Sequence, residues 1–452
     1  MSLRFFINEQ EQHVEDFAPE TTLLNYLRQI GLTGTKEGCG TGDCGACTVI
    51  LRQGDTLETL NSCLCPIGAL DGAQVFTVES LASNEGLHPV QQAMVDLHAS
   101  QCGFCTPGFV MSAAALYWQQ QSVTRDDVLE ALGGNLCRCT GYRPIIDATL
   151  AACNAEKKEP APTHHTRTPN AAPSAAYALP QSLEQATAIK QAQPEITVLT
   201  GATDYGLALT QTLEQPAAIL DLSRIDSLKQ WQLESNTLTL GAGLSFTALE
   251  SIFAKHLQSA VPLLKRIGSR QIRNRGTLGG NLGSASPIGD LPPLLIALNA
   301  EVQLCAHDGS RWMSLAAFFT GYRTTQLQPN ELITAVRFAL LNNDETLHCH
   351  KISKRHEDDI STVLTCLKLK HQGNTIAGAK LGLGGMAATP IDAQVTAEAI
   401  LELGLNQSWL PTLTERITED CSPMSDARAS SEYRIHSACG TLERTRLELI
   451  HA

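Results

Sequence analysis

Eight of the fifteen cysteines in this 452-residue chain fall into two compact groups. In the first group, Cys39, Cys44 and Cys47 follow the C-x4-C-x2-C spacing of a plant-type [2Fe–2S] site, and either Cys63 or Cys65 could supply a fourth ligand. The loop is rich in glycine, which lets the backbone approach a cluster closely and point its amides at the sulfurs. A structural zinc site is the alternative, but zinc ligands usually come as C-x2-C pairs without this glycine density.

The second group combines a C-x2-C pair, Cys102 and Cys105, with a C-x-C pair, Cys137 and Cys139. By spacing alone, this set could hold zinc as well as an iron–sulfur cluster. The dipeptide Thr106-Pro107 predicts the start of a helix with the threonine as its N-cap. This start places Cys105 beside the positive end of the helix dipole, a position that favours a thiolate.

Glycine and small polar residues mark two further segments. Residues 276–290 contain several glycines and could present successive amides to a pyrophosphate, with Thr277, Asn281 and Ser284 as polar neighbours. A second small, polar turn, at residues 201–204, follows a predicted strand. Either segment taken alone could also be an ordinary tight turn.

A third glycine segment, residues 382–387, matches the G-x-G-x-x-G/A fingerprint of dinucleotide-binding sites. That fingerprint must open a helix, and Pro390 follows too soon for a helix to form. We therefore reject a Rossmann site in this segment.

The bulk composition is that of a folded, acidic protein. Hydrophobic residues make up 43% of the chain, and the formal net charge of −13 argues against nucleic acid or an anionic membrane as a main partner. No uninterrupted apolar run approaches membrane-spanning length. The N-terminus lacks a secretory pattern, so the cytoplasm is the expected location.

The elements that would position these residues alternate between strand and helix patterns. Leu3–Asn8 is predicted to be a strand, and Thr21 or Thr22 can cap the helix that follows. Residues 89–152 have a helical pattern, and the proline-rich stretch 155–180 is predicted to be an extended linker. Further predicted strands are Thr48–Leu51, Thr197–Thr200, Ala218–Leu222, Thr237–Gly241, Val302–Cys305, Thr362–Leu369 and Lys380–Leu383, and further predicted helices are Leu294–Leu298, Ile391–Leu403 and Leu442–Ile450.

Several strings of this sequence closely resemble the xanthine dehydrogenase family of molybdenum hydroxylases. Those that resemble the two iron–sulfur domains of the family are KEGCGTGDCGACTV (36–49), NSCLCPIGAL (61–70), SQCGFCTPGFVMS (100–112) and GNLCRCTGYRPI (134–145). Those that resemble its FAD-binding part are VLTGATDYGL (198–207), RNRGTLGGNLGSASPIGDLPP (273–293), FFTGYRTT (318–325) and KISKRHEDDIST (351–362). The strings occur in the family order and cover most of the chain.

The resemblance implies ligands for three cofactors. The first [2Fe–2S] cluster would be held by Cys39, Cys44, Cys47 and Cys63, and the second, nearer to molybdenum, by Cys102, Cys105, Cys137 and Cys139. FAD would be bound by Val198, Leu199, Thr200, Gly201, Ala202, Thr203, Asp204, Ile267, Thr277, Leu278, Gly279, Gly280, Asn281, Ser284, Asp290, Ile333 and Lys351. Tyr322 could stack on the flavin or nicotinamide edge or be an ordinary core or surface tyrosine. The acidic segment 357–359 passes near the flavin in the family.

The same resemblance implies an α+β multidomain fold. The expected order is a ferredoxin-like β-grasp [2Fe–2S] domain (1–84), a four-helix [2Fe–2S] domain (85–155), a linker (156–177), a two-subdomain, non-Rossmann FAD-binding domain of the molybdopterin dehydrogenase type (178–345) and a C-terminal α+β domain of the CO dehydrogenase flavoprotein type (346–452).

The implied role is electron transfer. Electrons would leave a molybdopterin-molybdenum site on a large partner subunit and pass through both clusters and FAD to NAD, as hypoxanthine or xanthine is oxidised to urate. No residue of this chain would act as a catalytic acid or base. The split form of the family implies an α2β2 heterotetramer. The alternatives are the same role with an aldehyde or N-heterocycle as substrate, a stand-alone iron–sulfur flavoprotein reductase, and a zinc-stapled scaffold.

Overall fold

The structure is a computed structural model that describes residues 2–54, 56–84, 86–119, 122–155, 159–165, 168–169, 174, 176–373 and 375–451. The chain forms two compact units. The first unit comprises Met1–Ser182, Ile196–Ile225 and Gly268–Gly276, and the second comprises Leu183–Glu195, Asp226–Ile267 and Thr277–Ala452. The predicted FAD-binding domain (178–345) contributes residues to both units.

The strands and helices are labelled in chain order. The strands are β1 (Ser2–Ile7), β2 (Gln10–Glu15), β3 (Thr48–Gln53), β4 (Thr56–Asn61), β5 (Gln74–Phe76), β6 (Tyr177–Ala178), β7 (Thr197–Leu199), β8 (Ile219–Asp221), β9 (Trp231–Glu234), β10 (Thr237–Gly241), β11 (Glu301–Ala306), β12 (Gly309–Ser314), β13 (Phe319–Gly321), β14 (Thr324–Thr325), β15 (Leu332–Ala339), β16 (Glu345–Ile352), β17 (Val363–Gln372), β18 (Thr375–Gly384) and β19 (Ile391–Asp392).

The α-helices are α1 (Leu23–Gln29), α2 (Pro89–Asp96), α3 (Thr106–Gln119), α4 (Arg125–Leu132), α5 (Arg143–Cys153), α6 (Leu183–Ala192), α7 (Tyr205–Gln211), α8 (Phe246–His256), α9 (Val261–Leu264), α10 (Arg270–Arg275), α11 (Leu278–Gly283), α12 (Leu291–Ala297), α13 (Leu315–Phe318), α14 (Gln394–Leu403), α15 (Leu410–Asp420) and α16 (Ser431–His451). Short 3-10 helices lie at Ile67–Leu70, Val78–Ser80, Asp226–Lys229 and Gln258–Ala260.

The N-terminal part of the first unit is a mixed sheet with one helix across it. The strand order is β2-β1-β5-β3-β4, with β1 and β5 parallel, as expected for a ferredoxin-like β-grasp. Helix α1 begins after Thr22, whose hydroxyl accepts the backbone N–H of Asn25, and it buries Leu23 and Leu27 in the core of the sheet. The predicted strand and helix of this region are confirmed.

Four helices, α2 to α5, follow and share one apolar core. The side chain of Thr124 caps α4, and Asp127 completes a capping box with it. Helix α3 begins at Thr106 itself, so the predicted N-cap lies inside the helix rather than before it. The expected four-helix arrangement is confirmed.

The described part of the linker lies along the first sheet. Gln74 donates a hydrogen bond to the carbonyl oxygen of Thr163 and accepts one from the N–H of His165, at 3.1 and 3.0 Å. The ring of His165 stacks on Phe6 with 5.0 Å between centroids. Beyond the linker, β6, β8 and β7 form a small parallel sheet that completes the first unit.

Among its described residues, the second unit contains two larger antiparallel sheets and the two-stranded antiparallel sheet β13-β14. The first has the order β12-β11-β15-β10-β9, and α8, α11 and α12 share its core. Every residue of α12 is buried, which agrees with the helix predicted at Leu294–Leu298. The second sheet, β16-β17-β18-β19, packs against α14, α15 and α16.

The glycine segment at residues 382–387 ends strand β18 and opens no helix, so rejection of a Rossmann site there is confirmed. A Cβ on Gly382 would overlap the carbonyl oxygen of Pro293, and the N–H of Gly385 donates to the carbonyl of Pro287. Gly382 therefore allows close packing against α12, and Gly385 bonds to the segment that precedes that helix. Within the residues described above, no helix is both long and apolar enough to cross a membrane.

Candidate cofactor-binding sites

The first thiol group forms where the loop before β3 meets the end of β4. The Sγ atoms of Cys47 and Cys63 lie 3.4 Å apart, and each residue is only 2% exposed. Backbone N–H groups of Thr41 and Cys44 donate to the Sγ of Cys39, at 3.3 and 3.4 Å. The structure therefore brings these four predicted ligands together.

Hydrogen bonds in this group favour thiolates at two of the four positions. The pKa of Cys39 is lowered to about 4, first because the thiol of Cys44 donates to it and further because Thr41 does so. The pKa of Cys47 is also lowered, since the Cys63 thiol donates to it despite the opposing effect of burial. Metal ligation requires deprotonated thiols, so this environment suits a cationic centre.

Cys65, the other candidate for the fourth ligand, lies in different surroundings. It packs in the apolar core of the first sheet, whereas Cys47 and Cys63 share a separate buried cluster with Leu24 and Leu64. Burial raises the pKa of Cys65 to about 11. These positions support Cys63 as the fourth ligand, and the assignment of ligands stays a prediction.

The second thiol group lies at the start of α3 and in the loop between α4 and α5. Contacts between thiols pair Cys105 with Cys137 and Cys102 with Cys139, and the second pair is exposed. The hydroxyl and N–H of Thr140 lie 3.1 and 3.4 Å from the Sγ of Cys137. Burial raises the pKa of Cys137, but these contacts and the Cys105 thiol outweigh it and lower the pKa.

In both groups the thiols meet two by two, which suits a cluster of two irons with four cysteine ligands. Across the described part of the chain, no three or more His, Cys, Asp or Glu side chains are placed to hold a single metal ion. The chemistry of the donors and the N–H groups aimed at sulfur therefore fit [2Fe–2S] clusters.

The two thiol groups approach each other through glycines. A Cβ on Gly45 would overlap the carbonyl oxygen of Gly134, and a Cβ on Gly108 would overlap the carbonyl oxygen of Gly45. The N–H of Leu136 donates to the carbonyl oxygen of Cys44 at 2.9 Å. Since Leu136 directly precedes Cys137, a single hydrogen bond connects the backbones that carry the two sets of thiols. We call this contact the glycine junction.

In the first unit, the predicted FAD segment 198–204 runs from β7 to the start of α7. Gly201 packs so closely on the backbone of Arg275 that a Cβ would overlap its carbonyl oxygen. Ala202 has a φ of 62°, in the left-handed region that brings successive N–H groups together. The N–H groups of Gly201, Ala202 and Thr203 donate to no residue that the structure describes. This turn fits an anionic ligand such as a pyrophosphate.

In the second unit, the predicted glycine loop is the short helix α11, capped by Thr277. The N–H groups of Leu278 and Gly279 donate to the carbonyls of Leu244 and Ala242, and that of Gly280 donates to Thr277 Oγ1. The expectation that this segment presents successive free amides is therefore wrong at these three positions. The glycines allow close packing, since a Cβ on Gly279 would lie 2.8 Å from that of Ala242.

Other predicted FAD residues of the second unit retain capacity for a ligand. The Oδ1 atom of Asn281 is buried and accepts no hydrogen bond from any described residue. Lys351 is buried and donates to Asp290 at 2.7 Å, while the hydroxyl of Ser361 donates to the other oxygen of that carboxylate at 2.5 Å. Asn281 Oδ1 lies 3.4 Å from where a Cβ on Gly289, the residue before Asp290, would stand, and this buried acceptor fits the hydrogen-bonding groups of a flavin cofactor.

The apolar residues predicted to line the flavin site are both buried. Ile333 is 9% exposed and its Cδ1 would lie 3.5 Å from a Cβ on Gly283, and Ile267 is 8% exposed. Ser284 directly follows α11 and donates to the carbonyl of Asn281 at 3.0 Å.

Tyr322 is 63% exposed in the turn between β13 and β14. The acidic segment 357–359 lies in the loop between β16 and β17, where Asp359 accepts the N–H of Arg355.

Sequence analysis missed Arg266, whose guanidinium donates to the carbonyl of Lys351 and to the hydroxyl of Ser353. A single arginine belongs to no motif of fixed spacing, so the sequence could not have predicted these two hydrogen bonds.

Known protein families match nearly the whole chain. The family described as "2Fe-2S iron-sulfur cluster binding domain" matches residues 5–68, and "[2Fe-2S] binding domain" matches residues 77–150. "FAD binding domain in molybdopterin dehydrogenase" matches residues 172–339, and "CO dehydrogenase flavoprotein C-terminal domain" matches residues 348–449. The chain belongs to the molybdenum hydroxylase family, as its iron–sulfur and FAD part.

Curated relatives of this molybdenum hydroxylase chain include three xanthine dehydrogenases. The xanthine dehydrogenase of Emericella nidulans is 32% identical over 88% of the chain. The xanthine dehydrogenase/oxidase of Gallus gallus is 31% identical over 90%, and that of Rattus norvegicus is 30% identical over 94%. The chain spans only 35% to 37% of the length of these relatives.

Two solved structures are similar to this chain in fold. A carbon monoxide dehydrogenase from Hydrogenophaga pseudoflava matches 59% of this chain and 94% of its own, with a TM-score of 0.56 and 25% identity. Quinoline 2-oxidoreductase from Pseudomonas putida 86 matches 62% and 98%, with the same TM-score and 23% identity. The expected α+β fold with two [2Fe–2S] domains and an FAD-binding domain is confirmed.

Proposed function

We propose that this chain is the electron-transfer subunit of a xanthine dehydrogenase. It would receive electrons from a molybdenum-site partner that oxidises hypoxanthine and xanthine to urate, and deliver them through two [2Fe–2S] clusters and FAD to NAD. The single observation that carries the electron-transfer role is the glycine junction. One hydrogen bond, from Leu136 to Cys44, connects the backbones of two separate thiol groups.

The cysteines and the predicted FAD residues would have separate roles in electron transfer. When bound, a [2Fe–2S] cluster accepts one electron and FAD accepts two, so the flavin can pair single electrons for transfer as hydride. The eight cysteines would hold the clusters, and N–H groups aimed at Cys39 and Cys137 would stabilise the added negative charge. The turn at Gly201 would bind the pyrophosphate of FAD.

The choice of xanthine is supported by the relatives. One of the three curated proteins above is named xanthine dehydrogenase and the other two xanthine dehydrogenase/oxidase, and each aligns along most of this chain. We propose that a large partner subunit carries the molybdopterin-binding part, in an α2β2 assembly like the split form of the family. A reducing cytoplasm would keep the eight thiols available for iron.

The proposal is tested by isolating the chain with its partners from the source organism under anaerobic conditions. We expect about four irons and one FAD per chain, a co-purifying large molybdenum subunit and xanthine-dependent reduction of NAD. Isolation of an NADH-oxidising chain with no large partner would favour the stand-alone reductase instead.

A second candidate is the same role in a molybdenum hydroxylase with another substrate. It is favoured by the structural likeness to carbon monoxide dehydrogenase at 25% identity. Assays with carbon monoxide, aldehydes and N-heterocycles beside xanthine separate the two candidates. Turnover of one of these substrates, without turnover of xanthine, would select the second candidate.

A further inference from the structure

A small cavity lies in the first unit, where strand β4 meets helix α10. Leu64 and Ile272 contribute apolar walls, and Asn61, Gln271 and Arg275 contribute polar side chains. The volume open to the centre of a water molecule is about 10 Å³, close to the minimum that one water requires. The cavity can therefore hold one water molecule.

Three buried polar atoms of these lining residues make no hydrogen bond to any residue that the structure describes. They are Oδ1 of Asn61, Oε1 of Gln271 and Nε of Arg275. Asn61 is 4% exposed and Gln271 is 1% exposed, so both oxygens are shielded from bulk solvent. A buried polar atom without a partner costs free energy, and proteins commonly satisfy such atoms with an ordered water.

The other hydrogen bonds of the two amides fix which of their atoms lacks a partner. Nδ2 of Asn61 donates to the carbonyl oxygen of Gly42 at 2.6 Å. Nε2 of Gln271 lies 3.2 Å from Oδ1 of Asn135, whose own Nδ2 donates to the carbonyl oxygen of Gly45 at 2.9 Å. Turning the amide of Asn61 or Gln271 would place its oxygen against another oxygen, so both amides keep an acceptor unsatisfied.

The unpartnered atoms specify a neutral ligand that both donates and accepts hydrogen bonds. The two amide oxygens need donors, whereas Nε of Arg275 needs an acceptor. The amide oxygens disfavour an anion, and the charge of Arg275 disfavours a cation. A water molecule has two hydrogens to donate and two lone pairs to accept, so one water can satisfy all three atoms.

We propose that this cavity binds one ordered water molecule, which donates hydrogen bonds to Asn61 and Gln271 and accepts one from Arg275. The site is a specific one, because its two donors and one acceptor are matched by the three atoms that the fold leaves without partners. The proposal needs no bound cofactor.

The position of the water gives it a further role, which rests on the proposed function. Asn61 bonds to Gly42, in the loop that carries the predicted ligands Cys39 and Cys44. Gly201 of the predicted FAD turn also lines the cavity, and a Cβ on it would overlap the carbonyl oxygen of Arg275. The water therefore joins residues that support the first cluster site and the FAD turn.

The direct test is a crystal structure of the complete chain at a resolution that shows ordered waters. We expect one peak in the cavity, at about 2.7–3.2 Å from Asn61 Oδ1, Gln271 Oε1 and Arg275 Nε. A dry cavity, a peak bonded to fewer than two of these atoms, or a direct hydrogen bond between Arg275 and either amide oxygen would overturn the proposal. So would an anomalous signal in the cavity after a soak in rubidium bromide, because it would show that the site takes an ion.

A double-mutant cycle tests the shared water in solution. Gln271→Met removes one acceptor and Arg275→Met removes the donor, so each change should raise the equilibrium constant of unfolding in a denaturant titration. Because both side chains would bond to the same water, losing one weakens the bond of the other. The effect of the double variant should therefore fall short of the product of the single effects by about twofold or more.

Ser112→Ala provides the matched control cycle. The hydroxyl of Ser112 lies 3.2 Å from Nε2 of Gln271, at the end of that amide that faces away from the cavity, and Ser112 does not line the cavity. Combined with Arg275→Met, it should give the product of the two single effects. An equal shortfall in both cycles would show coupling through the packing of α10 and would count against a shared water. Should a variant fail to fold, the crystal structure of the unsubstituted chain still decides the proposal.

The iron and FAD content of the same preparation separates this proposal from the proposed function. A dry cavity in a chain that binds iron and FAD would refute only the water. A water in the cavity of a chain that binds neither iron nor FAD would confirm the water and refute the proposed function.

Discussion

Cys63 and Cys65 stand two positions apart in sequence but in different environments. The thiol of Cys63 lies 3.4 Å from that of Cys47, whereas Cys65 packs in the apolar core of the first sheet. We expect Cys63→Ala to lose about half of the bound iron and the EPR signal of the first cluster. Cys65→Ala is the matched control and should keep all of the iron, at a cost of about 1 kcal/mol in the free energy of unfolding. Equal iron loss in both variants would contradict the choice of Cys63.

Lys351 and Asp290 form a buried ion pair in the second unit. Their side chains are 2% and 6% exposed, and the Nζ and Oδ2 atoms lie 2.7 Å apart. Lys351→Met leaves a buried carboxylate without its cation, so we expect the free energy of unfolding to fall by about 3–5 kcal/mol. Denaturant titration measures this change. Adding Asp290→Asn to Lys351→Met removes the unpaired charge and should restore part of the lost stability. A double variant less stable than Lys351→Met alone would argue against the ion pair.

At the scale of elements, helix α3 approaches the first thiol loop through Gly108. A Cβ there would overlap the carbonyl oxygen of Gly45, so Gly108→Ala should lower the free energy of unfolding by about 1–3 kcal/mol and disturb both EPR signals. Gly440 is the matched control, because it also lies in a helix but has open space around its Cα. Gly440→Ala should stabilise the protein by about 0.5–1 kcal/mol. A neutral Gly108→Ala variant would disprove the tight contact.

The N-terminus of α2 is capped by a histidine that resists protonation. Nδ1 of His88 accepts the N–H of Val90 at 3.2 Å, and burial lowers the pKa of His88 to about 4. The unfolded chain binds this proton near pH 6.5, so the stability from the neutral ring is fully present above that pH and is lost as the pH falls toward 4.

The loss is measured by thermal unfolding at pH 7.5 and 5.5. His88→Asn keeps a capping side chain but removes the titration, so its Tm should fall less between the two pH values than that of the unsubstituted protein. An identical fall in both proteins would show that His88 has no part in the acid sensitivity.

At the scale of the whole molecule, the first unit is assembled from three separate stretches of chain. Helix α10 supplies Gln271, which donates to Oδ1 of Asn135 at 3.2 Å, and Asn274, which donates to the carbonyl of Thr59 at 2.9 Å. A fragment ending at Ser182 lacks these partners, so we expect it to bind more of an apolar dye and to unfold at a lower Tm than the complete chain. A fragment with the same Tm and no dye binding would show that the later stretches add nothing.

The sequence predicted those parts that depend on local chemistry. Cysteine spacing identified both thiol groups, strand-like patterns placed β1 and β10, and a short apolar stretch placed the buried helix α12. The glycine segment that precedes Asn281 was misjudged, because the same small residues serve either to expose amides or to allow close packing. The role of Gln271 could not be predicted, since its partners Thr48, Ser112 and Asn135 are distant in sequence and only the tertiary fold brings them together.

The division of the first unit into three stretches also sets an order of events during synthesis. The last predicted cluster ligand, Cys139, leaves the ribosome well before Gly276, the final residue of that unit. Until then, the nascent cysteine loops lack the later residues of the first unit that pack around them, and we expect them to be accessible to solvent. Iron delivered too early would meet an incomplete site, so we expect metal insertion to follow translation of the first 276 residues rather than accompany it.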